Sequence, residues 1–286
     1  MTIQIDSLET STKKIIYSDK CKDILSLSVA EIQELFKSSG ILLFRGFGVT
    51  HEQMKAFSKQ FSSRFTRETN RTRVDSREGF VSLVAQGTHF IEPHCENANT
   101  PFRPDAVWFC CGVPPAQGGE TLFCDGVQVW EQLSEESKQL FLSKKIRFDF
   151  IYSAEQWKHF LGAEATLANV KQMLEGLEGV SYFINEDESV SFAYACPAVI
   201  KTKYSNQDAF ANNILNAKES VFFENGSPIP DTIISEIEEV TDRLTEEIQW
   251  QVGDLVMIDN SRFLHGRRSF SDNQRLIFSI FSYLNF

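Results

Sequence analysis

The sequence predicts a mainly β protein with helical decoration, built on a β-sandwich or barrel. Short apolar stretches of strand length recur along the chain, separated by turn residues. The 25 phenylalanines fall largely in such extended runs, as a broad aromatic core between facing sheets requires. Neither an internal repeat nor a linker-like change of composition interrupts the 286 residues, so residues 1–286 read as one domain.

The elements follow in order. Residues 1–25 carry little pattern beyond Lys14–Tyr17, a candidate edge strand. Ser28 and Glu31 have capping-box spacing ahead of an amphipathic stretch, which predicts a helix over about 28–38. Ile41–Phe47 is β-rich and apolar, as in a strand buried on both faces. Thr50 and Gln53 repeat the capping spacing and open a second helix through about Phe61, with His51 a solvated residue of its first turn. Residues 63–80 have no apolar period and read as a surface loop or lid. The arginines of 64–77 suit an anion such as a substrate carboxylate or phosphopantetheine, but a solvated loop is the preferred reading. Val81–Ala85 and Thr88–Pro93 read as strands, and so do Ala106–Cys111, Glu120–Asp125 and Lys145–Tyr152, with a helix over about 127–143. Residues 155–178 are helical in pattern, 181–200 form a hairpin, and 206–248 read as mostly helical, ending in an amphipathic helix from Asp231 to Ile248. Leu255–Asp259 and Leu276–Leu284 are the closing strands.

Composition excludes several classes. A net charge of −11 argues against nucleic acid or an anionic membrane as partner. No apolar run is long enough for a membrane span, and the N-terminus lacks the basic start and apolar stretch of a signal peptide, so a cytoplasmic location is expected. Six cysteines without CxxC spacing, two of them adjacent (Cys110 and Cys111), point to reduced thiols rather than disulfides or structural zinc.

Chemistry concentrates around His94-Cys95-Glu96. In an extended strand, residues i and i+2 share a face, so His94 and Glu96 can close on one ion while Cys95 points away. His265, within DNSRFLHGRRSF, is a fitting third ligand. Two histidines and a carboxylate make a facial triad that holds Fe(II) and leaves positions open. A bare His-x-Glu also occurs on solvent-facing strands, so the surroundings decide. His89, five residues before His94, falls on the opposite face of a shared strand and is not expected to be a ligand.

Those surroundings include Gly40–Phe47, His94–Asn97, Arg103-Pro104-Asp105, Gly118–Thr121 and Asp125-Gly126. Later come Trp250–Asp254, Asp259-Asn260, His265-Gly266-Arg267 and Arg275. This ordered set, spanning about residues 40–284, resembles the Fe(II)/2-oxoglutarate-dependent oxygenases of the taurine dioxygenase (TauD/TfdA) superfamily, in particular its clavaminate-synthase-like members. The resemblance implies a double-stranded β-helix, or cupin-like jelly roll, with a largely helical insertion at about 130–248. It implies His94, Glu96 and His265 as metal ligands, with Thr121 and Arg275 binding 2-oxoglutarate; Arg267 and Arg268 compete for the latter role. It also implies that 2-oxoglutarate and O2 become succinate and CO2 while a C–H bond of a small molecule is oxidised. The intact Glu96 argues against halogenation, leaving hydroxylation as the default and desaturation or another oxidative rearrangement as the alternative. The substrates implied are amino acids or natural-product intermediates derived from them, free or carrier-bound, with Asn97 and Arg268 as candidate contacts. A non-catalytic metal-binding jelly roll and a zinc hydrolase are the rival readings, and both leave Arg275 without a role.

Overall fold

Helix α1 (Val29–Ser39) follows two short strands, β1 (Gln4–Ser7) and β2 (Lys14–Tyr17). The Ser28 hydroxyl accepts from Glu31 N–H to start α1, and Gly40 at φ 75° ends it, a left-handed position open to glycine without steric cost. After β3 (Ile41–Arg45), the Thr50/Gln53 capping box starts α2 (His51–Lys59). Next come β4 (Ser62–Phe65), β5 (Ser82–Leu83), β6 (Ile91–His94), β7 (Ala106–Val113) and β8 (Thr121–Asp125). A long excursion holds α3 (Gly126–Gln132), α4 (Glu135–Ser143), β9 (Ile146–Tyr152), α5 (Ala154–Leu161), α6 (Leu167–Leu174), β10 (Val180–Ile184) and β11 (Val190–Cys196). It continues through β12 (Ile200–Lys201), β13 (Asp208–Ala209), β14 (Val221–Phe223), α7 (Asp231–Leu244) and β15 (Glu246–Ile248). The chain closes with β16 (Leu255–Asp259), β17 (Phe263–Arg267) and β18 (Leu276–Leu284). This computed structural model describes residues 4–7, 12–18, 23–66, 71–74, 79–84, 87–271 and 274–286; Cys21 and part of the arginine-rich stretch lie outside them.

Two sheets face each other. The larger runs β1-β2-β3-β16-β7-β18-β4, with β5 also paired to β18; the smaller runs β15-β8-β17-β6. Both are open rather than closed into a barrel, and together they form the jelly roll. The larger sheet's central strands are apolar at nearly every position because both of their faces are covered. Leu42, Phe44, Trp108, Cys110, Leu255 and Met257 pack outward under α1 and α2, against Phe36, Met54 and Phe57. The alternating residues Ile41, Leu43, Val107, Phe109, Cys111, Val256 and Ile258 point inward to Phe123, Trp250 and Phe263 of the facing layer. The adjacent thiols of Cys110 and Cys111 therefore lie on opposite faces of one strand, and burial pushes both up to about 12.

Several expectations are corrected. The helix expected over 127–143 is two helices, because Ser134 takes extended backbone and its hydroxyl caps α4 at Ser137 N–H. The stretch 206–248 is not mostly helical: β13 and β14 lie in it, and α7 stops at Leu244 because Glu246–Ile248 pairs with β8. Helix outweighs strand in the insertion, which also holds a separate sheet in the order β10-β11-β9-β14. Part of the expected loop, Ser62–Phe65, is an edge strand paired to β18. The closing strands number three rather than two, since Phe263–Arg267 lies between β8 and β6.

Candidate active site

His94 ends β6, and its partner directly across the antiparallel ladder is His265 on β17. Residues so opposed bring their side chains together, and the two imidazole rings have centroids 4.6 Å apart. Glu96 joins them by another route. The chain leaves the strand at His94 and turns, with Asn97 at φ 53°, so strand alternation does not place the carboxylate, contrary to the sequence expectation. Asn260, buried just past β16, holds it instead: its carbonyl oxygen accepts from Glu96 N–H at 2.8 Å and its amide donates to Glu96 O at 3.0 Å. Cys95 does point away, its thiol donating to Phe263 O.

The ligand atoms of His94, Glu96 and His265 lie within 4.8 Å of one another, a spacing that one metal ion can bridge. His94 Nδ1 lies 2.8 Å from Glu92 O, which assigns the ring proton to that nitrogen and turns the Nε2 lone pair inward. Burial and the neighbouring His265 push the His94 imidazole down to about 4, so it is neutral, as a ligand must be. Burial opposes a charge on Glu96, yet Arg71 and the two imidazoles outweigh it and hold the carboxyl well below the usual range. Phe109 stands against His265 at 5.5 Å between ring centroids, an apolar wall that lowers the local dielectric. The donor set thus fits a divalent transition metal.

A second group of residues lies along the same layer. Across the β17–β8 ladder Arg267 is opposite Thr121 and His265 opposite Phe123, so strand alternation puts Thr121 and Arg267 on the face that carries His265. The Thr121 hydroxyl accepts from Trp250 Nε1 at 3.0 Å, leaving its own proton to donate. Arg275, just before β18, donates from Nε to Gly119 O at 3.0 Å. Gly119, at φ 69°, is where a Cβ would come within 3.1 Å of Arg275 Cδ, so the turn permits this approach. Arg267 and Arg275 both stack on Phe270, at 5.1 and 5.5 Å. Burial and then Arg267 push Arg275 down to about 10, and no described carboxylate pairs with it. This half-buried, planar cation has the donor chemistry that suits an anion.

The other candidates are not among the three clustered groups. Arg268 is half-exposed and ion-paired with Glu247 at 2.8 Å. Asn97 occupies the turn after the ligands, its carbonyl accepting from Thr100. His89 gives a backbone carbonyl to Arg267, and His51 stacks on Phe278 at the surface. Sequence reasoning placed Asn260 and Trp250 in the matching pattern but gave neither a role: Asn260 holds the Glu96 backbone and Trp250 bonds Thr121. It also left Arg71 among solvated loop residues, although its guanidinium lies 2.9 Å from Glu96.

The profile of the taurine catabolism dioxygenase TauD, TfdA family matches residues 9–280. A clavaminate synthase-like protein of Arabidopsis thaliana is 23% identical, over 87% of this chain and 83% of its own. The 3-((Z)-2-isocyanoethenyl)-1H-indole synthase of Fischerella ambigua is 22% identical, over 88% and 85%. Among solved structures, PvcB of Pseudomonas aeruginosa has the same fold, with a TM-score of 0.65 at 14% identity over 98% of this chain and 91% of PvcB. PvcB is described as an Fe, alpha-ketoglutarate dependent oxygenase from an isonitrile synthetic pathway. The match across nearly the whole chain, on a jelly roll that gathers two histidines and a glutamate, places this protein in the TauD/TfdA family, as a 2-oxoglutarate-dependent non-haem iron dioxygenase.

Proposed function

We propose that His94, Glu96 and His265 hold Fe(II), that Thr121 and Arg275 receive 2-oxoglutarate, and that the enzyme hydroxylates a C–H bond of an amino acid or a small molecule derived from one. The carrying observation is the convergence of three ligand atoms within 4.8 Å from two stretches far apart in sequence, together with a half-buried arginine that forms no ion pair with a described carboxylate. When bound, the iron supplies O2 activation coupled to conversion of 2-oxoglutarate to succinate and CO2.

The chain's own residues do the remaining work. Glu92 O fixes the His94 tautomer, and Asn260 fixes Glu96 through its backbone. Arg275 offers a planar fork to the cosubstrate's far carboxylate, and Thr121, oriented by Trp250, offers a hydroxyl proton to the near end. Phe109 and Phe281, both buried, keep water from the reacting centre. No described helix is long and apolar enough to cross a membrane.

The test is anaerobic addition of Fe(II) and then 2-oxoglutarate. A weak visible charge-transfer band that shifts on adding amino acids supports the reading, and iron binding without any band sinks it. Desaturation or another oxidative rearrangement is the second reading. The name of the Fischerella relative, an isocyanoethenyl-indole synthase, favours it. Product mass distinguishes the two: a gain of one oxygen for hydroxylation, a loss of two hydrogens for desaturation.

A further inference from the structure

Asn260 fixes the backbone of Glu96, which leaves the carboxylate still to be posed at the end of a flexible side chain. His265 and Arg71 both meet its Oε2 atom: His265 Nε2 lies 3.6 Å away, and an Arg71 guanidinium nitrogen donates at 2.9 Å. The oxygen that faces a neighbouring member of the triad therefore carries a cation supplied by the chain itself. Both side chains of this ion pair are nearly out of water, at 15% and 9% exposure.

Arg71 is in turn held rigidly. Its segment runs antiparallel to residues 81–83: Leu83 N–H donates to Thr72 O and Val74 N–H to Val81 O, each at 2.9 Å, and Arg73 bridges to Ser82. Strand β5 pairs with β18, placing Ser82 opposite Ser279. The Ser279 hydroxyl commits its one proton to Ser82 O at 3.3 Å, which leaves its oxygen to accept from a second Arg71 nitrogen at 3.3 Å. The guanidinium also lies 4.7 Å over the Phe281 ring. Because the group is planar, fixing one arm on Ser279 fixes the direction of the other, and that arm ends on Glu96. A position on the larger sheet is thus passed to a carboxylate that follows the end of a strand in the smaller one.

A carboxylate buried beside two imidazoles is costly unless a cation is close, and histidines that are neutral, as ligands must be, supply none. We infer that Arg71 is the built-in counter-ion of Glu96 and its positioning residue, holding the carboxylate aimed at His94 and His265 so that a metal enters a finished site. An ion bridging the triad and the Arg71 guanidinium draw on one negative charge, so each lessens the need for the other. The inference rests on the proposed metal site and concerns what the chain does for that site ahead of the metal.

The test is thermal unfolding of the full-length protein, first stripped with EDTA and then with Mn(II) added. It compares wild type, Arg71→Met, Glu96→Gln and the double variant Arg71→Met/Glu96→Gln. Metal-free Arg71→Met should melt about 5–10 °C below wild type, the effect of leaving a buried charge without its partner. In the Glu96→Gln background the same change should lower Tm by no more than about 2 °C, since a neutral amide needs no counter-ion. Mn(II) should narrow the gap between Arg71→Met and wild type, because the metal supplies the missing positive charge. The inference is overturned if the gap is as large in the Glu96→Gln background, which would make Arg71 a packing residue over Phe281. It is equally overturned if Mn(II) binds wild type and leaves the gap unchanged. Should Arg71→Met alone fail to fold, the double variant decides: folding supports the counter-ion, and failure rejects it. The metal reading has its own readout, since it fails if wild type takes up no Mn(II), whereas the metal-free comparisons stand without it.

Discussion

Asn260 grips Glu96 as a neighbouring strand would, accepting from its backbone N–H and donating to its carbonyl, with a further bond to Pro104 O at 2.9 Å. Asn260→Ala leaves three buried backbone groups unmet. The expected cost is about 2–4 kcal/mol in urea unfolding, with metal affinity lower by about tenfold or more. Asn260→Asp should fare no better, since a carboxylate cannot donate to the two carbonyls. Unaltered Mn(II) binding in a folded Asn260→Ala protein would show that the glutamate needs no such support.

His94→Ala and His265→Ala are each expected to abolish Fe(II) binding and succinate formation. Both should stay folded, because each removes a polar group from a site otherwise walled by Phe109 and Phe123. Metal content after gel filtration and circular dichroism check this. Stoichiometric iron in either variant rejects the triad.

Arg275→Ala is expected to weaken 2-oxoglutarate binding by about 10- to 100-fold, the range for a lost charge-assisted pair, with iron binding nearly unchanged. Titration of the anaerobic band with 2-oxoglutarate reads this directly. If Arg267→Ala gives the larger effect, the two arginines that share Phe270 exchange roles.

Asp259 gives a pH dependence with a definite sign. Burial raises its carboxyl from 3.8 to about 6, against the hydrogen bonds from Ser261 and the charge of Arg262. Between those values the folded protein holds a proton that the unfolded chain has released. The contribution to stability is therefore full below the lower value and lost as pH rises through the upper one. Asp259→Asn keeps an acceptor for Ser261 but cannot titrate. Relative to that variant, wild type should gain on the order of 2–3 kcal/mol as pH falls from about 7 to about 4. A parallel pair of stability curves contradicts it.

What was legible in the sequence follows from where the signal is local. The paired capping residues Ser28/Glu31 and Thr50/Gln53 act within one turn, and both helices start where they indicate. The strands β3, β7, β16 and β18 stand out because both of their faces are buried. By contrast β17 is five residues with a histidine, a glycine and an arginine, and it is a strand only because β8 and β6 flank it. The three metal-ligand candidates were found by residue type and order, yet the geometric reason given for His94 and Glu96 was wrong. The turn at Asn97 and the distant amide of Asn260 do what strand alternation was expected to do. Arg71 was illegible for the same reason, since its partners Glu96, Ser279 and Phe281 are remote in sequence.

The position of the last three strands has a consequence for biosynthesis. β16 lies between β3 and β7, β18 between β7 and β4, and β17 between β8 and β6. Each is the middle member of a set whose flanking strands emerge from the ribosome far earlier. Until the final stretch is made, those earlier strands have open, hydrogen-bond-hungry edges and an uncovered aromatic face. Nascent chains halted before Leu255 should therefore be chaperone-bound or protease-sensitive, and completion of the sheets should be a late, slow event governed by long-range pairing.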